Sequence, residues 1–267
     1  MAQVCATRAG LKVDPEKAYL LESRLGPVAR REGFASIDDL IDSLRTRAEE
    51  RLVWGVVEAM AFRETSFFRD RAPFEAFRDH ILPALARQRE GQPIRIWSAA
   101  CGSGQEVYSL AMMVDEQEET PPGVKVELFA SDISERALEK AQSGLYTQFE
   151  VQRGLPIRQL VRHFDKAEDM WVISPRIRQT VRWRRVNLLS DLGGVGPFDA
   201  IFCRHALPLM VEAVRPKVLK GLAGALAPDG FLMLGEDEAP EGADEALQPV
   251  AGQPGVYARN PAFRVAA

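Results

Sequence analysis

The sequence predicts an α/β protein, a doubly wound parallel sheet preceded by an all-helical segment. Three observations carry that prediction. From Ile94 onward, short apolar runs alternate with helical patterns, as parallel strands joined by crossover helices require. Residues 1–75 read as helices without strands, their apolar residues recurring at helical spacing. Between the first strand and its helix lies Cys101-Gly102-Ser103-Gly104, a turn that lets the backbone approach a ligand closely. The 267 residues, 46% hydrophobic and 27% charged, supply a sizeable core, and 34 basic against 38 acidic residues leave a net charge of −4. That balance excludes a general nucleic-acid binder, which needs a basic stripe. No apolar run nears the ~18 residues of a membrane span, so no stable membrane insertion is expected. A basic-then-apolar leader is missing too. Three scattered cysteines, Cys5, Cys101 and Cys203, suggest neither a disulfide framework nor a zinc site, and a reduced, cytoplasmic protein is expected.

In the helical domain, Asp14-Pro15-Glu16 places an N-cap, a proline at N1 and an acid in the first turn. Tyr19, Leu20 and Leu25 then share a face up to a break or kink at Gly26-Pro27. Ser36, with Asp39 three residues on, opens a second helix whose Ile37, Leu40, Ile41 and Leu44 form a buried stripe. A third runs from about Ala48 to Ala61. Residues 76–93 join this domain to residues 94–267, where strands are predicted at Ile94–Ala100, Val124–Ala130, Val181–Leu188, Phe198–Cys203 and Gly230–Gly235. Helices are predicted at Val107–Val114, Ser134–Ser143 and Leu209–Leu226, and a terminal hairpin at Val250–Arg259. A small β-subdomain is predicted as an insertion at about 150–182, with short strands at Trp171–Ile173 and around Val181 and Trp183. Residues 153–185 carry nine basic and three acidic residues, an excess of six positive charges. That excess reads either as a solvated face or as a docking patch for an acidic protein partner.

The third glycine of a dinucleotide fingerprint would fall at Val107, and no Walker lysine follows Gly104, so phosphates are poorly served. The second strand ends in Ala130-Ser131-Asp132, an acid where a ribose diol would lie. Together these favour a nucleoside without phosphates, of which S-adenosyl-L-methionine (SAM) is the commonest.

Glu64-Thr65-Ser66-Phe67-Phe68-Arg69-Asp70, Trp97 through Met112, Phe129 to Ile133, Val186-Asn187-Leu188-Leu189 and Gly196 through Arg204 resemble the CheR family of chemotaxis-receptor methyltransferases. The likeness extends over nearly the whole chain, and its Thr-x-Phe-Phe-Arg-Asp segment is specific, because the generic methyltransferase fold does not require it. The resemblance implies a Rossmann-like SAM-dependent methyltransferase sheet. It implies a protein-glutamate O-methyltransferase that uses SAM, releases S-adenosyl-L-homocysteine and acts on the cytoplasmic domains of chemoreceptors. By similarity, Thr65 and Arg69 reach the methionine end of SAM, Glu106 meets its ammonium and Asp132 its ribose hydroxyls. Gly102 and Gly104 make the turn, Asn187 and Leu188 hold the adenine, and Arg204 with His205 closes the pocket. Transfer of methyl from a sulfonium to a carboxylate is an in-line displacement. A glutamate with a pKa near ~4.3 is already ionised, so alignment and removal of water matter more than acid–base groups. Arg69 and Arg204 are the candidate catalytic residues, positioning the carboxylate by a charge-assisted fork, with Arg69 preferred.

The chain departs from the family pattern on one side of this site. Arg63-Glu64-Thr65 stands for Asn-Glu-Thr, and Gly235-Glu236-Asp237-Glu238 for Gly-His-Ser-Glu. The family's Cys-Arg-Asn, aliphatic residues and Tyr-Phe become Cys203-Arg204-His205-Ala206-Leu207-Pro208-Leu209-Met210, so Leu209 replaces an aromatic hydroxyl near the transfer centre. That pattern suits an altered substrate, slow transfer, or a SAM-binding regulatory module without transferase activity. A nucleic-acid methyltransferase would need an Asn/Asp-Pro-Pro-Tyr type segment here. The basic stretch also lacks the glycine-rich extension of members that grip a receptor-tail pentapeptide, so recognition without that tail is expected. His205 reads as a structural group, and His80 and His163 lack spaced ligands, so no metal site is expected. Cys101 and Cys203 read as small core residues, and the seven acids from Asp229 to Glu245 as a solvated loop.

Overall fold

A computed structural model describes residues 1–14, 19–47, 49–61, 65–89, 91–116 and 125–264. The expected Pro15-Glu16 helix start, the Arg63-Glu64 departure, the boundaries at Ala48 and Val124 and the Leu20 side chain lie outside the described residues.

Helices α1 (Ala2–Ala9), α2 (Tyr19–Arg31), α3 (Ile37–Thr46) and α4 (Glu50–Ala61) enclose their own core of Cys5, Leu25, Leu40, Val53, Val56 and Val57. Ser36 caps α3 as predicted: its Oγ accepts from Asp39 N–H, and Asp39 Oδ2 accepts from Ser36 N–H. The expected break at Gly26-Pro27 does not occur, because α2 runs through it. Pro27 removes one backbone bond, yet Leu25, Val28 and Ala29 around it are buried, and tertiary packing holds the helix. A continuous rod of α5 (Arg71–Ala76), a π-helical turn (Phe77–Ile81) and α6 (Leu82–Gln88) leads into the sheet.

Strand β1 (Ile94–Ala99), α7 (Gln105–Glu116), β2 (Val126–Asp132) and α8 (Glu135–Ser143) open the α/β layer. An insertion follows: β3 (Leu145–Thr147), α9 (Gln148–Gln152), α10 (Ile157–His163), β4 (Phe164–Ala167), β5 (Met170–Ile173) and α11 (Pro175–Arg178). Then come β6 (Val181–Arg185), β7 (Phe198–Phe202), α12 (Arg215–Ala225), β8 (Leu226–Met233), β9 (Leu247–Pro249) and β10 (Val256–Arg259). The seven-stranded sheet has the order β6-β2-β1-β7-β8-β10-β9, its first five strands parallel and its last two an antiparallel hairpin. Its pleat sorts side chains into two cores. Ile94, Ile96, Ala200 and Phe202 face Val107, Tyr108, Leu110 and Leu82, whereas Trp97, Ala99 and Ile201 face Leu219 and Leu222.

Three expectations need correction. The strand predicted at Val181–Leu188 is present as β6 of the main sheet, parallel to β2 from Leu128↔Val181 to Asp132↔Arg185, so Val181 and Trp183 are not strands of the insertion. The separate sheet, β3-β5-β4, instead draws in Leu145–Thr147. The predicted helix at Leu209 is two single 3-10 turns (Leu207–Leu209, Glu212–Val214), and α12 starts only at Arg215 with Pro216 in its first turn. Backbone from the helical domain takes up the intervening groups: Lys12 N–H donates to Leu209 O and Val211 N–H to Gly10 O, each at 2.7 Å. Much of the basic stretch is also used internally. Arg176 pairs with Asp115, Arg182 with Glu127, Arg185 with Glu58 and Glu135, and Arg178 donates to Ser143 O.

The insertion is seated against residues 65–70 at Gly154. Its φ is +86°, and a Cβ there would lie 2.0 Å from the Phe67 carbonyl oxygen. Gly154→Ala is therefore expected to destabilise the fold by about 1–3 kcal/mol. An unchanged thermal midpoint would show that the insertion is not held by this contact.

Candidate active site

The chain leaves β1 toward β2 and β7 toward β8, in opposite directions, and this switch point is where open α/β sheets bind ligands. A cleft partly open to solvent lies there. Its walls come from the turns after β1 (Gly102), β2 (Asp132, Ile133), β6 (Val186 to Leu188) and β7 (Arg204 to Ala206). The helical domain and its joint close it with Leu11, Ala61, Thr65, Ser66 and Arg69.

Residues 65–70 alternate between two environments. Phe67 is buried edge-on against Tyr146 and Phe164, while Thr65, Ser66 and Arg69 line the cleft. Five non-glycine residues among those described have positive φ, and four of them surround this site: Phe68 (46°), Asp70 (48°), Ala100 (59°) and His205 (60°). Backbone held in that region is costly and persists only where surrounding contacts over-determine it.

Asp132 Oδ2 accepts from Gly102 N–H at 2.9 Å and Oδ1 from Ser134 N–H at 2.8 Å, which fixes the glycine turn to the end of β2. Burial pushes its carboxyl above the usual range, against those donors. Each oxygen retains accepting capacity toward the cleft. Glu106 accepts from Ser98 Oγ at 2.8 Å and pairs with Arg204 at 3.2 Å. Burial raises its carboxyl too, with Arg204 opposing.

Arg204 does not reach outward as a substrate fork. Its side chain is 1% exposed; Nη1 bonds Glu106, Nη2 donates to Asp70 and to Arg69 O, and the guanidinium stacks on Phe74 at 5.1 Å. His205 is tied down as well. Its N–H donates to Glu238 Oε2 at 2.9 Å, and the same oxygen accepts from Gly235 N–H at 2.6 Å. Its Nε2 lies 2.7 Å from Asp70 Oδ2. Burial, with Arg69 and Arg204 nearby, holds the imidazole below its ordinary value. Asn187 lines the cleft, but its amide already donates to Arg8 O and accepts from Leu189 N–H. Gly104 does not line it: a Cβ there would lie 2.9 Å from Ala141 Cβ and 3.3 Å from Trp183, so its role is packing.

Sequence reasoning missed Asp70, which bridges Arg204 and His205, and Glu238, which joins the ends of β7 and β8. Glu238 was lost among its acidic neighbours, of which Asp229 is engaged too, accepting twice from Arg89 at the surface. A carboxylate's local sequence carries no mark of the distant N–H groups it will meet. Cys101 and Cys203 are buried free thiols, as core residues should be.

The residues present fit SAM: the cleft offers two carboxylates, Asp132 and Glu106, on separate turns, and an apolar stretch of Ile133, Val186 and Leu188. The family description "CheR methyltransferase, SAM binding domain" matches residues 63–256, and "CheR methyltransferase, all-alpha domain" matches residues 2–54. This chain belongs to the CheR methyltransferase family. It is 38% identical to chemotaxis protein methyltransferase 1 of Pseudomonas aeruginosa over 254 residues, 94% of this chain and 92% of that one. It is 34% identical to chemotaxis protein methyltransferase 1 of Vibrio cholerae (94% and 91%) and 32% identical to the chemotaxis protein methyltransferase of Escherichia coli (89% and 82%). The CheR assignment makes the protein a SAM-dependent methyltransferase of chemotaxis and disfavours the regulatory-module reading. Among the described residues, no helix is long and apolar enough to cross a membrane.

Proposed function

We propose that this CheR protein methylates glutamate side chains on the cytoplasmic domains of chemoreceptors, in the cytoplasm and without a receptor-tail pentapeptide as tether. One observation carries the reading. Arg69 lines the cleft beside Thr65 and Ser66, facing the turns after β1 and β2, and is the guanidinium this reading assigns to the acceptor carboxylate, while Arg204 is bonded to Glu106 and Asp70. Such an acceptor is ionised at neutral pH, so no base is required. Bound SAM would supply the electrophilic methyl group. Asp132 would hold the ribose hydroxyls, Glu106 the ammonium, and Thr65 the methionine end, with Gly102, Asn187 and Leu188 around the nucleoside. Arg204 acts as a positioning residue: it clamps Asp70 and the Arg69 carbonyl, and so sets where Arg69 stands.

Labelled methyl transfer to receptor cytoplasmic fragments tests this, followed by alkali, which hydrolyses a glutamate methyl ester and releases the label as methanol. Alkali-stable label would reject glutamate as the acceptor. Asp132→Ala is expected to weaken SAM binding by ~1–3 kcal/mol in calorimetry, through loss of a charged acceptor and of the Gly102 anchor. Unchanged affinity would refute the ribose assignment.

A further inference from the structure

The insertion holds most of the large apolar side chains that stand exposed among the described residues, four of the five: Leu145, Phe149, Ile157 and Val161. Phe149, Ile157 and Val161 are 66%, 73% and 74% exposed. Burying such groups is the default fate of aliphatic and aromatic side chains, and a cluster left in water marks a contact surface.

The helix α10 arranges this surface in rows. At roughly 100° per residue, Leu160 and His163 turn inward, where both are buried. Ile157 and Val161, four apart, form an outward apolar row. Arg158 and Arg162, also four apart, form a basic row directly beside it, and Arg153 stacks on Phe149 at 5.5 Å. Arg162 reaches acids only at 4.0 Å, on Asp115 and Glu116, unlike the basic residues of α11 and β6 that are committed to the body of the protein. Pro156, Arg158 and Gln159 also form one bank of an open groove, whose other bank is Phe68 with Arg71, Phe74 and Arg78 on the rod, the acids Glu75, Asp79 and Glu116 lying between and beside them. Phe68 faces this groove while its neighbours Ser66 and Arg69 face the cleft, so a segment lying in the groove is one backbone's thickness from the site.

We propose that the outward face of α10, Ile157 and Val161 beside Arg158 and Arg162, docks a helical segment of the protein substrate bearing an apolar stripe edged with carboxylates. The two rows match those two features in kind and in order, and the positive charge is local in a chain whose net charge is −4. This inference rests on the proposed receptor substrate and deepens it by naming the surface that receives it.

The test uses the full chain, a helical cytoplasmic fragment of a chemoreceptor from the same genome, and two variants, Ile157→Ser/Val161→Ser and Arg158→Glu. Direct binding of the fragment is measured by calorimetry, and methyl transfer is followed separately. Both variants are expected to weaken fragment binding about tenfold or more and to raise KM with kcat and SAM affinity unchanged. Binding by the parent, but not by Arg158→Glu, is expected to weaken as salt rises. Equal fragment binding by parent and variants overturns the docking surface, as does a parent that does not bind the fragment. Capture of the parent by anionic phospholipid vesicles, lost in both variants, would assign the face to a membrane and also overturn it. The two readings fail separately: transfer that survives in the variants at unchanged KM leaves the function standing without this surface. Tight fragment docking with no alkali-labile label leaves the surface without glutamate methylation.

Discussion

Leu209→Tyr is expected to raise the rate of methyl transfer to receptor glutamates by ~10²–10³-fold while leaving SAM affinity nearly unchanged. By the resemblance drawn from the sequence, an aromatic hydroxyl is expected at this position, and losing one transition-state contact of that kind costs roughly 3–4 kcal/mol. Leu209 lines the cleft, on the wall where the helical domain meets the turn after β7. Its backbone is held from both sides: its carbonyl accepts from Lys12, and Leu11 bridges Met210 in antiparallel register. A larger side chain would therefore extend into the cleft without moving the chain. The proposed ribose and ammonium contacts, Asp132 and Glu106, lie on other turns, so nucleoside binding has no reason to change. Pro208 fixes φ beside it and limits how well the new hydroxyl aligns. His205→Asn can accompany the change: position 205 has φ +60°, a conformation that Asn adopts readily. Single-turnover assays on one receptor fragment decide the matter. If the parent already turns over as fast as a typical family member, Leu209 is neutral variation.

Arg204→Ala is expected to destabilise the protein by about 3–5 kcal/mol, because it strands buried Glu106 and half-buried Asp70 without their common cation. For a chain of this size that corresponds to a thermal midpoint roughly 6–20 °C lower. The pH dependence separates this cause from lost packing against Phe74. Burial already raises the Glu106 carboxyl, and removing Arg204 removes the opposing charge. In the variant the folded state then binds a proton that the unfolded chain releases near ~4.5, so its stability falls as pH rises from that value through the raised one. The deficit is expected to be larger at pH 8 than at pH 5. Glu106→Gln in the Arg204→Ala background should recover part of it, since a neutral amide leaves no unpaired charge. A deficit that is flat with pH and not relieved by Glu106→Gln would mean that the guanidinium serves by packing alone.

What residue patterns alone determined is the order of the elements and the end of the sheet that carries chemistry. Capping at Ser36 and Ser134, the short apolar runs of β1 and β7 and the glycines around Pro254 are local, because propensity and periodicity act within a few residues. The glycine turn and Asp132 were legible for the same reason, as strand ends that must meet at a switch point. Tertiary structure decided the rest. Pro27 stays helical because its neighbours are buried, and β6 leaves the insertion for the main sheet because β2 offers it a ladder. The turn at Leu209 is shaped by backbone from residues 10–12, some two hundred positions away. Arg204 and Arg69 look alike as sequence, and only burial separates them. Arg204 is ringed by Glu106, Asp70 and a backbone carbonyl, and Arg69 lines the cleft. Charge pairing inside a fold depends on which groups share a low-dielectric space, and that proximity belongs to the folded chain, not to the order of its residues.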